Sequence, residues 1–229
     1  AVGAEGGALS TLTHHPPEDL LVCYAAGSLG EAQALAVATH LAYCPACRRE
    51  NGRLDEIGGA LLEDLPPEPL AEDALASLLA RLDCEGGEEP AGAACDAGDS
   101  GVLGDMPVPE PLRTYLRERA GGAGWTVLAE GVQSLRLDVG KPPEVAEILR
   151  MTPGSALPAH RHSDQELILV LRGSFSEAAG PFADAGGRYA GGDLGEFEGG
   201  SIHTVLAGED GCVCYRVLAG PVERLVEPP

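Results

Sequence analysis

Hydrophobic residues in the first third of the chain recur every three to four positions, which is the period of an amphipathic α-helix. Pro66 and Pro67 interrupt this pattern, because proline cannot continue a helix from the preceding turn. The pattern predicts an all-α domain over residues 1–83, with a disordered start at residues 1–8. Its four predicted helices are one that begins at Pro17 and others near residues 29–41, 45–62 and 69–82. The last helix has an apolar stripe of Leu70, Ala74, Leu75, Leu78, Leu79 and Leu82.

The periodicity changes after residue 105. Short β-branched or alternating segments are separated there by glycine or proline, as in β-sandwiches and barrels, and a short helix near 110–118 precedes them. Residues 84–104 are rich in glycine, alanine and acidic residues without a hydrophobic period, which predicts a flexible linker. The chain is therefore predicted to form two domains, 1–83 and 105–229, joined by that linker. The predicted strands are 125–129, 132–139, 146–151, 166–173, 174–178, 192–197, 203–207 and 212–219.

Composition and charge limit the kind of partner. With 36 acidic and 15 basic residues the formal net charge is −21, which argues against nucleic-acid binding because contacts to phosphate depend on Lys and Arg. An acidic surface favours a basic protein partner, although solubility alone accounts for it equally well. The chain shows neither an apolar run long enough to span a membrane nor the pattern of a secretory signal. Seven cysteines, two of them in a Cys-x-x-Cys pair, favour a reducing environment, so a cytoplasmic location is expected.

The helical domain contains one candidate metal motif. His40 and Cys44 are four residues apart and share one face of a helix, and the Cys44-x-x-Cys47 pair can direct both sulfurs at one ion. Structural zinc prefers four nitrogen or sulfur ligands, so the fourth must come from elsewhere in the chain. His15 and His14 are the candidates, and His15 is favoured. A thioredoxin-like redox pair is the alternative, but no βαβ pattern surrounds these cysteines.

The β domain contains a second candidate metal motif. His160 and His162 are two residues apart, so on a strand both point to the same side. Glu166 is expected at the start of the next strand, and His203 on a strand across the barrel. Three imidazoles and one carboxylate suit Zn, Fe, Mn, Ni or Cu, so the sequence predicts a divalent transition metal without selecting which one.

The spacing of these residues resembles the two cupin motifs. Residues 154–173 match the first motif, Gly-x5-His-x-His-x3-Glu-x6-Gly, at every defined position. Residues 192–207 resemble the second motif, with Glu198 in place of its proline and Ala207 in place of its final asparagine. Neither changed position is a metal ligand in the family, so the expected site is unaffected. The resemblance implies an all-β jelly-roll barrel for residues 105–229.

The helical motif resembles the zinc-binding anti-sigma family, and its fusion to a cupin resembles the ChrR type of anti-sigma factor. The resemblance implies that His15, His40, Cys44 and Cys47 bind a structural zinc ion. It also implies that residues 1–83 enclose an extracytoplasmic-function sigma factor and suffice to inhibit it. The cupin would then be needed for release of the sigma factor in response to singlet oxygen or organic peroxides. On this interpretation the protein is not an enzyme.

An enzyme is the principal alternative, because cupins with the same four ligands include dioxygenases, other oxidoreductases and isomerases. The sequence offers no evident set of additional acid–base residues for the barrel, which favours a sensor. A passive zinc-storage or scaffold protein explains the motifs less well and would predict no specific protein partner.

The remaining cysteines are open to two interpretations. Cys212 and Cys214 are expected to be small core residues on one face of a late strand, with an oxidant-sensitive pair as the alternative. Cys84 and Cys95 in the predicted linker could form a reversible disulfide, but no role is the preferred interpretation. Cys23 is expected in the helical core rather than at the metal.

Overall fold

The structure is a computed structural model that describes residues 12–84, 108–119, 124–177 and 187–225, without the side chains of residues 82–84 and 118–119. The predicted disordered start and the linker residue Cys95 lie outside the described residues, as does the side chain of Cys84. Contacts form two compact units, one from the described residues within 1–55 and 108–229 and the other from those within 56–107. The division into a helical domain at 1–83, a linker at 84–104 and a cupin domain at 105–229 stays a prediction.

Helices occupy the N-terminal region where the hydrophobic period predicts them. The fourth helix begins at Ala74 rather than near residue 69, since residues 66–71 have no regular structure and residues 72–73 form a turn. Leu70 therefore lies outside the helix and is exposed. The helices of the described chain are α1 (Glu18–Ala25), α2 (Glu31–Tyr43), α3 (Pro45–Glu63), α4 (Ala74–Cys84) and α5 (Leu112–Arg119).

The described strands form one antiparallel sheet. The strands are β1 (Thr126–Ala129), β2 (Val132–Leu137), β3 (Val145–Met151), β4 (Ala156–His162), β5 (Glu166–Glu177), β6 (Arg188–Ala190), β7 (Leu194–Phe197), β8 (Ile202–Leu218) and β9 (Val222–Arg224). The order in the sheet is β1-β2-β3-β8-β4-β9, and β5 pairs with β6, β7 and β8. The predicted segments did not include β6 and β9, and β4 was expected only from the spacing of His160 and His162.

Two pairs of predicted strands are each one long strand in the structure. Residues 166–173 and 174–178 were predicted to separate at Gly173, but β5 continues through it, and β8 continues through Gly211. Both glycines have positive φ angles, +75° in each case, and a Cβ atom on Gly173 would lie 2.1 Å from the Gly211 carbonyl oxygen. Glycine at these positions permits two strands to approach closely at a bulge instead of ending them.

The central strands β5 and β8 are buried on both faces. Inside the barrel, Ile168, Val170 and Cys214 belong to its hydrophobic core. The alternate residues, among them Leu167 and Tyr215, face outwards and are buried where α2 packs on the two strands. The Tyr215 hydroxyl donates a hydrogen bond of 3.1 Å to the Ala32 carbonyl oxygen of α2. Burial on both faces explains why the sequence of β5 is a continuous apolar run rather than an alternating one.

Candidate metal centres

The junction between α2 and α3 brings four of the predicted ligands together. His15, His40, Cys44 and Cys47 each contribute one nitrogen or sulfur atom to a cluster whose atoms lie within 4.8 Å of one another. His40 Nε2 is 3.3 Å from Cys47 Sγ, and His15 Nδ1 is 3.4 Å from Cys47 Sγ and 3.5 Å from Cys44 Sγ. Tetrahedral zinc, with bonds of about 2.0 Å to nitrogen and about 2.3 Å to sulfur, places such ligand atoms about 3.6 Å apart. The cluster therefore fits a four-coordinate zinc ion.

Each of these ligands lies in a different local structure. His40 is in the last turn of α2, Cys44 is the first residue after that helix, and Cys47 is in the first turn of α3. Cys44 has an extended backbone, so it does not share a helix with His40 as the sequence analysis assumed. The backbone N–H of Cys47 donates to Cys44 Sγ at 3.4 Å, which turns both sulfurs towards one point. His15 lies in the segment before α1, which has no regular secondary structure.

The structure brings His15 rather than His14 to the cysteines. The ring of His14 turns away and packs on Tyr189, with 4.1 Å between ring centroids. Its Nδ1 atom lies 3.4 Å from the Asp193 carboxylate. Because His14 is held at Tyr189 and Asp193, His15 is the histidine that reaches the cluster.

The ring of His40 is oriented for metal binding. Its Nδ1 atom lies 2.8 Å from the Gly192 carbonyl oxygen, which can only accept a hydrogen bond, so Nδ1 carries the proton and Nε2 presents a lone pair to the cluster. Burial lowers the pKa of His40 to about 4, which keeps the ring neutral. Burial also raises the pKa of Cys47 to about 12 in the protein alone. A cation in the cluster would supply the charge that holds this sulfur as a thiolate.

The second cluster lies inside the barrel. His160 and His162 are on β4, Glu166 begins β5, and His203 is near the start of β8. His160 Nε2 is 3.0 Å from His203 Nε2, and Glu166 Oε2 is 3.0 Å from His203 Nε2 and 3.3 Å from His162 Nε2. A metal with bonds of about 2.1 Å places ligand atoms about 3.0 Å apart at right angles and about 3.4 Å apart in a tetrahedron. The four side chains thus have the spacing of ligands around one ion.

One detail of this cluster differs from the prediction. His203 was predicted to lie on a strand across the barrel from His160. In the structure β4 and β8 are neighbours, and the two histidines are direct partners in the antiparallel register. The prediction was wrong because it treated 203–207 as a separate short strand rather than as the start of the long β8, which pairs with β4 over its first part.

The chemistry of the second cluster fits a cation. Among the described residues, both ring nitrogens of the fully buried His162 have no hydrogen-bond partner. His160 Nδ1 lies 2.9 Å from the Pro158 carbonyl oxygen, which leaves its Nε2 lone pair facing the cluster. Burial would raise the pKa of Glu166, but neighbouring His203 and Arg216 outweigh it and hold the pKa at about 2. Buried imidazole lone pairs that converge beside a buried carboxylate are unfavourable unless a positive ion joins them.

Arg216 and Glu147, which lie next to the cluster on the far side of Glu166, were not predicted from the sequence. Arg216 Nη1 lies 3.4 Å from Glu166 Oε1, and Arg216 Nε donates a hydrogen bond of 2.7 Å to Glu147 Oε1. All three side chains are buried, so two carboxylates share one guanidinium and one negative charge remains for a cation. A signal was present in the sequence, because Cys212, Cys214 and Arg216 alternate along a strand and therefore face the same interior.

A cavity of about 250 Å³ reaches the second cluster at His160. Arg216, Glu147 and Arg224 contribute polar groups to its wall, and the rest is mainly apolar. Its lining includes Leu128, Leu157, Pro158, Leu218 and Val222. A small molecule of mixed polarity can therefore approach the edge of the cluster.

The other described cysteines lie outside both clusters. Cys212 and Cys214 are free, fully buried and part of the barrel core, as the preferred interpretation of the sequence expected. Cys23 is free and only partly buried.

Comparison with known families divides the chain into two matched regions. Residues 18–48 match a zinc-finger family, and residues 117–223 match the ChrR Cupin-like domain family. The protein is therefore a zinc-finger region followed by a cupin-like domain, which confirms the predicted fold class. No helix in the described part of the chain has the length and apolar character that a membrane span requires.

Relatives over nearly the full length define the family. The Anti-sigma-E factor ChrR of Cereibacter sphaeroides is 36% identical over 226 residues, which are 95% of this chain and 98% of that protein. A crystal structure of Rhodobacter sphaeroides SigE in complex with the anti-sigma ChrR contains a similar chain, with a TM-score of 0.71 at 33% identity, covering 91% of this chain and 99% of that one. The chain belongs to the ChrR family of anti-sigma factors. This is a family of regulators, which confirms the prediction that the protein is not an enzyme.

Proposed function

We propose that this protein is a zinc-binding anti-sigma factor that sequesters an extracytoplasmic-function sigma factor and releases it on an oxidative signal. The observation that carries the proposal is the identity of 36% over 226 residues with an anti-sigma factor. A similar chain occurs in a solved complex with SigE. The negative charge of −21 suits a partner whose DNA-binding surfaces are basic.

The two clusters have different roles in this proposal. His15, His40, Cys44 and Cys47 bind a structural zinc ion that joins the N-terminal segment to α2 and α3. A small helical region has a limited core, so a metal contributes much of its stability. His160, His162, Glu166 and His203 bind zinc or another divalent transition metal in the cupin.

The unit within residues 56–107 offers the contact surface for the sigma factor. Ile57, Leu61 and Leu65 recur every four residues from the last part of α3 onwards, and all three are more than half exposed. On α4, Leu75 and Leu78 are also more than half exposed. Several large apolar side chains exposed along one stripe are uncommon unless a partner covers them. Acidic residues flank them, which suits a partner with an apolar groove and a basic rim.

The cupin receives the signal, which we take to be singlet oxygen or an organic peroxide. The cavity beside His160 admits a small molecule to the metal cluster. Arg216 keeps Glu166 in position, since it contacts one carboxylate oxygen while the other faces the histidines. A metal bound there would supply the reactive or ligand-binding centre.

The proposal is tested by binding of the full-length chain to SigE-like sigma factors of the same host. The variants Leu61→Asp and Leu75→Asp should weaken binding by at least about tenfold, because a buried charge without a partner disfavours an apolar interface. Val127→Asp is the matched control, since Val127 is 68% exposed on β1 and Leu61 is 66% exposed. If the native chain binds no sigma factor, the proposed function is wrong. If Val127→Asp weakens sigma-factor binding equally, residues 56–107 are not the contact surface.

A further inference from the structure

The turn that joins β6 to β7 contacts the N-terminal zinc-ligand region at several points. We call Gly192 and Asp193 the 192–193 turn. The Gly192 carbonyl oxygen accepts a hydrogen bond from His40 Nδ1 at 2.8 Å. Asp193 Oδ1 accepts from the backbone N–H groups of Thr13 at 2.9 Å and His14 at 3.2 Å, and Asp193 Oδ2 accepts from Thr13 Oγ1 at 3.1 Å. This short turn therefore contacts both chain segments that contribute histidines to the cluster.

These contacts determine where two of the four ligand atoms lie. The bond to Gly192 fixes the tautomer and the ring orientation of His40. The bonds to Asp193 fix the backbone immediately before His15, which has no helix or strand of its own to hold it. The Asp193 side chain is 3% exposed, so water competes little for its hydrogen bonds. Cys44 and Cys47, in contrast, are positioned by the helix junction itself.

We propose that the 192–193 turn is a positioning element of the N-terminal zinc site, so that the zinc affinity of the helical region is set by the cupin. This inference rests on the proposed zinc site. It makes Asp193 a positioning residue that never touches the metal. It also means that the helical region does not have its full zinc affinity when separated from the cupin.

Strand β7 gives this arrangement a route to the second metal cluster. Its first residue, Leu194, donates a backbone hydrogen bond of 3.2 Å to the His14 carbonyl oxygen. Its last residue, Phe197, packs edge-on against the ring of His203, with 4.6 Å between centroids. One four-residue strand thus begins at the zinc-ligand region and ends at a cupin ligand. Direct contacts at both ends of β7 therefore connect His203 to the N-terminal zinc-ligand region.

Glu144 provides a matched control for a general loss of packing between α2 and the barrel. This partly buried carboxylate also belongs to the β region, and it accepts hydrogen bonds from the backbone of Ala32 and Gln33 in the first turn of α2. Ala32 is about 12 Å along the helix axis from His40, so loss of this contact leaves the zinc ligands in place.

The experiment measures zinc affinity at the first site in the full-length protein. Cobalt(II) is bound first, and zinc then displaces it while the sulfur-to-cobalt charge-transfer absorption is followed. Of the two clusters, only the one with Cys44 and Cys47 has thiolate ligands, so the second does not contribute to this signal. Asp193→Ala should weaken zinc binding about 10- to 100-fold, as loss of groups that orient metal ligands typically does. Asp193→Asn, which retains one acceptor oxygen, should fall between Asp193→Ala and the native protein.

The possible outcomes separate the inference from the proposed function. If the native protein shows no thiolate–cobalt absorption, the zinc site itself is wrong. If the native protein binds zinc and Asp193→Ala binds it within about twofold, the turn does not position the ligands. Glu144→Ala should keep nearly native zinc affinity. If Glu144→Ala loses as much zinc affinity as Asp193→Ala, the effect comes from a general loss of packing and the inference is wrong.

Discussion

Arg216 holds one oxygen of Glu166 while the other oxygen faces three histidines. The distance from Arg216 Nη1 to Glu166 Oε1 is 3.4 Å, and Glu166 Oε2 is 3.0 Å from His203 Nε2. Because Arg216 also binds Glu147, a single buried guanidinium orients a candidate metal ligand and offsets part of its charge. The carboxylate therefore faces the histidines before any ion is bound.

We expect Arg216→Met to destabilise the metal-free protein by about 3–5 kcal/mol, because removal of one partner leaves buried carboxylates without a counter-charge. A divalent ion in the second cluster should restore part of this loss, since it supplies positive charge beside Glu166. Urea unfolding of the metal-free and metal-saturated protein measures both effects. Arg150→Met is the control, because Arg150 is exposed and lies over the Trp125 ring at 4.2 Å. A loss below about 1 kcal/mol for Arg216→Met would contradict this account.

Gly173→Ala should lower the free energy of unfolding of the barrel by about 1–3 kcal/mol or more. The new Cβ atom would lie 2.1 Å from the Gly211 carbonyl oxygen, and the residue would keep a positive φ angle. Gly59→Ala is the matched control, since Gly59 is in the interior of α3 with no atom within 4 Å of an added Cβ. That substitution should stabilise the protein by about 0.5–1 kcal/mol, because alanine favours a helix more than glycine does. Thermal unfolding that gives equal effects for both variants would reject the close approach of β5 and β8.

Much of the fold could be predicted because its signals are local. Helical period, proline breaks and short apolar segments identified a helical region followed by a β region. The motif spacings also identified seven of the eight residues that the structure assembles into two clusters, and for the eighth His15 was favoured over His14. The predicted strand boundaries that were wrong depend on tertiary contacts. A glycine such as Gly173 reads as a strand break in the sequence, and only the opposing Gly211 shows that it permits two strands to approach.

The site residues that the sequence did not reveal also depend on contacts between segments distant in the chain. Asp193 and Gly192 belong to a turn about 150 residues away from His40, and nothing in their local sequence indicates contact with α2. The outward face of β5 and β8 could not be assigned a partner before α2 was seen to cover it. The choice between His14 and His15 likewise depends on Asp193 and Tyr189, which contact His14 and leave His15 at the cysteines.

Cys44→Ala should abolish the thiolate–metal site and the binding of the sigma factor together. Cys44 Sγ lies 3.5 Å from His15 Nδ1, and its loss leaves three ligands where structural zinc needs four. Cys23→Ala is the matched control, because Cys23 is a free cysteine outside the cluster. Metal content of the purified protein and affinity for the sigma factor provide the two measurements. Native affinity in a zinc-free Cys44→Ala protein would show that zinc is not required for inhibition.

The double variant His160→Ala, His162→Ala should still bind the sigma factor but should no longer release it on oxidation. Both side chains are buried inside the barrel and belong to the second cluster, which shares no residue with the zinc site. The preformed complex can be exposed to a singlet-oxygen photosensitiser or to an organic hydroperoxide, with the free sigma factor followed by gel filtration. The native complex should dissociate, and the variant complex should persist. A variant that fails to bind the sigma factor before any oxidant is added would contradict the separation of inhibition from sensing. Such a result would instead mean that the second cluster stabilises the inhibitory conformation. The contact of His203 with Phe197, the last residue of β7, is consistent with that role.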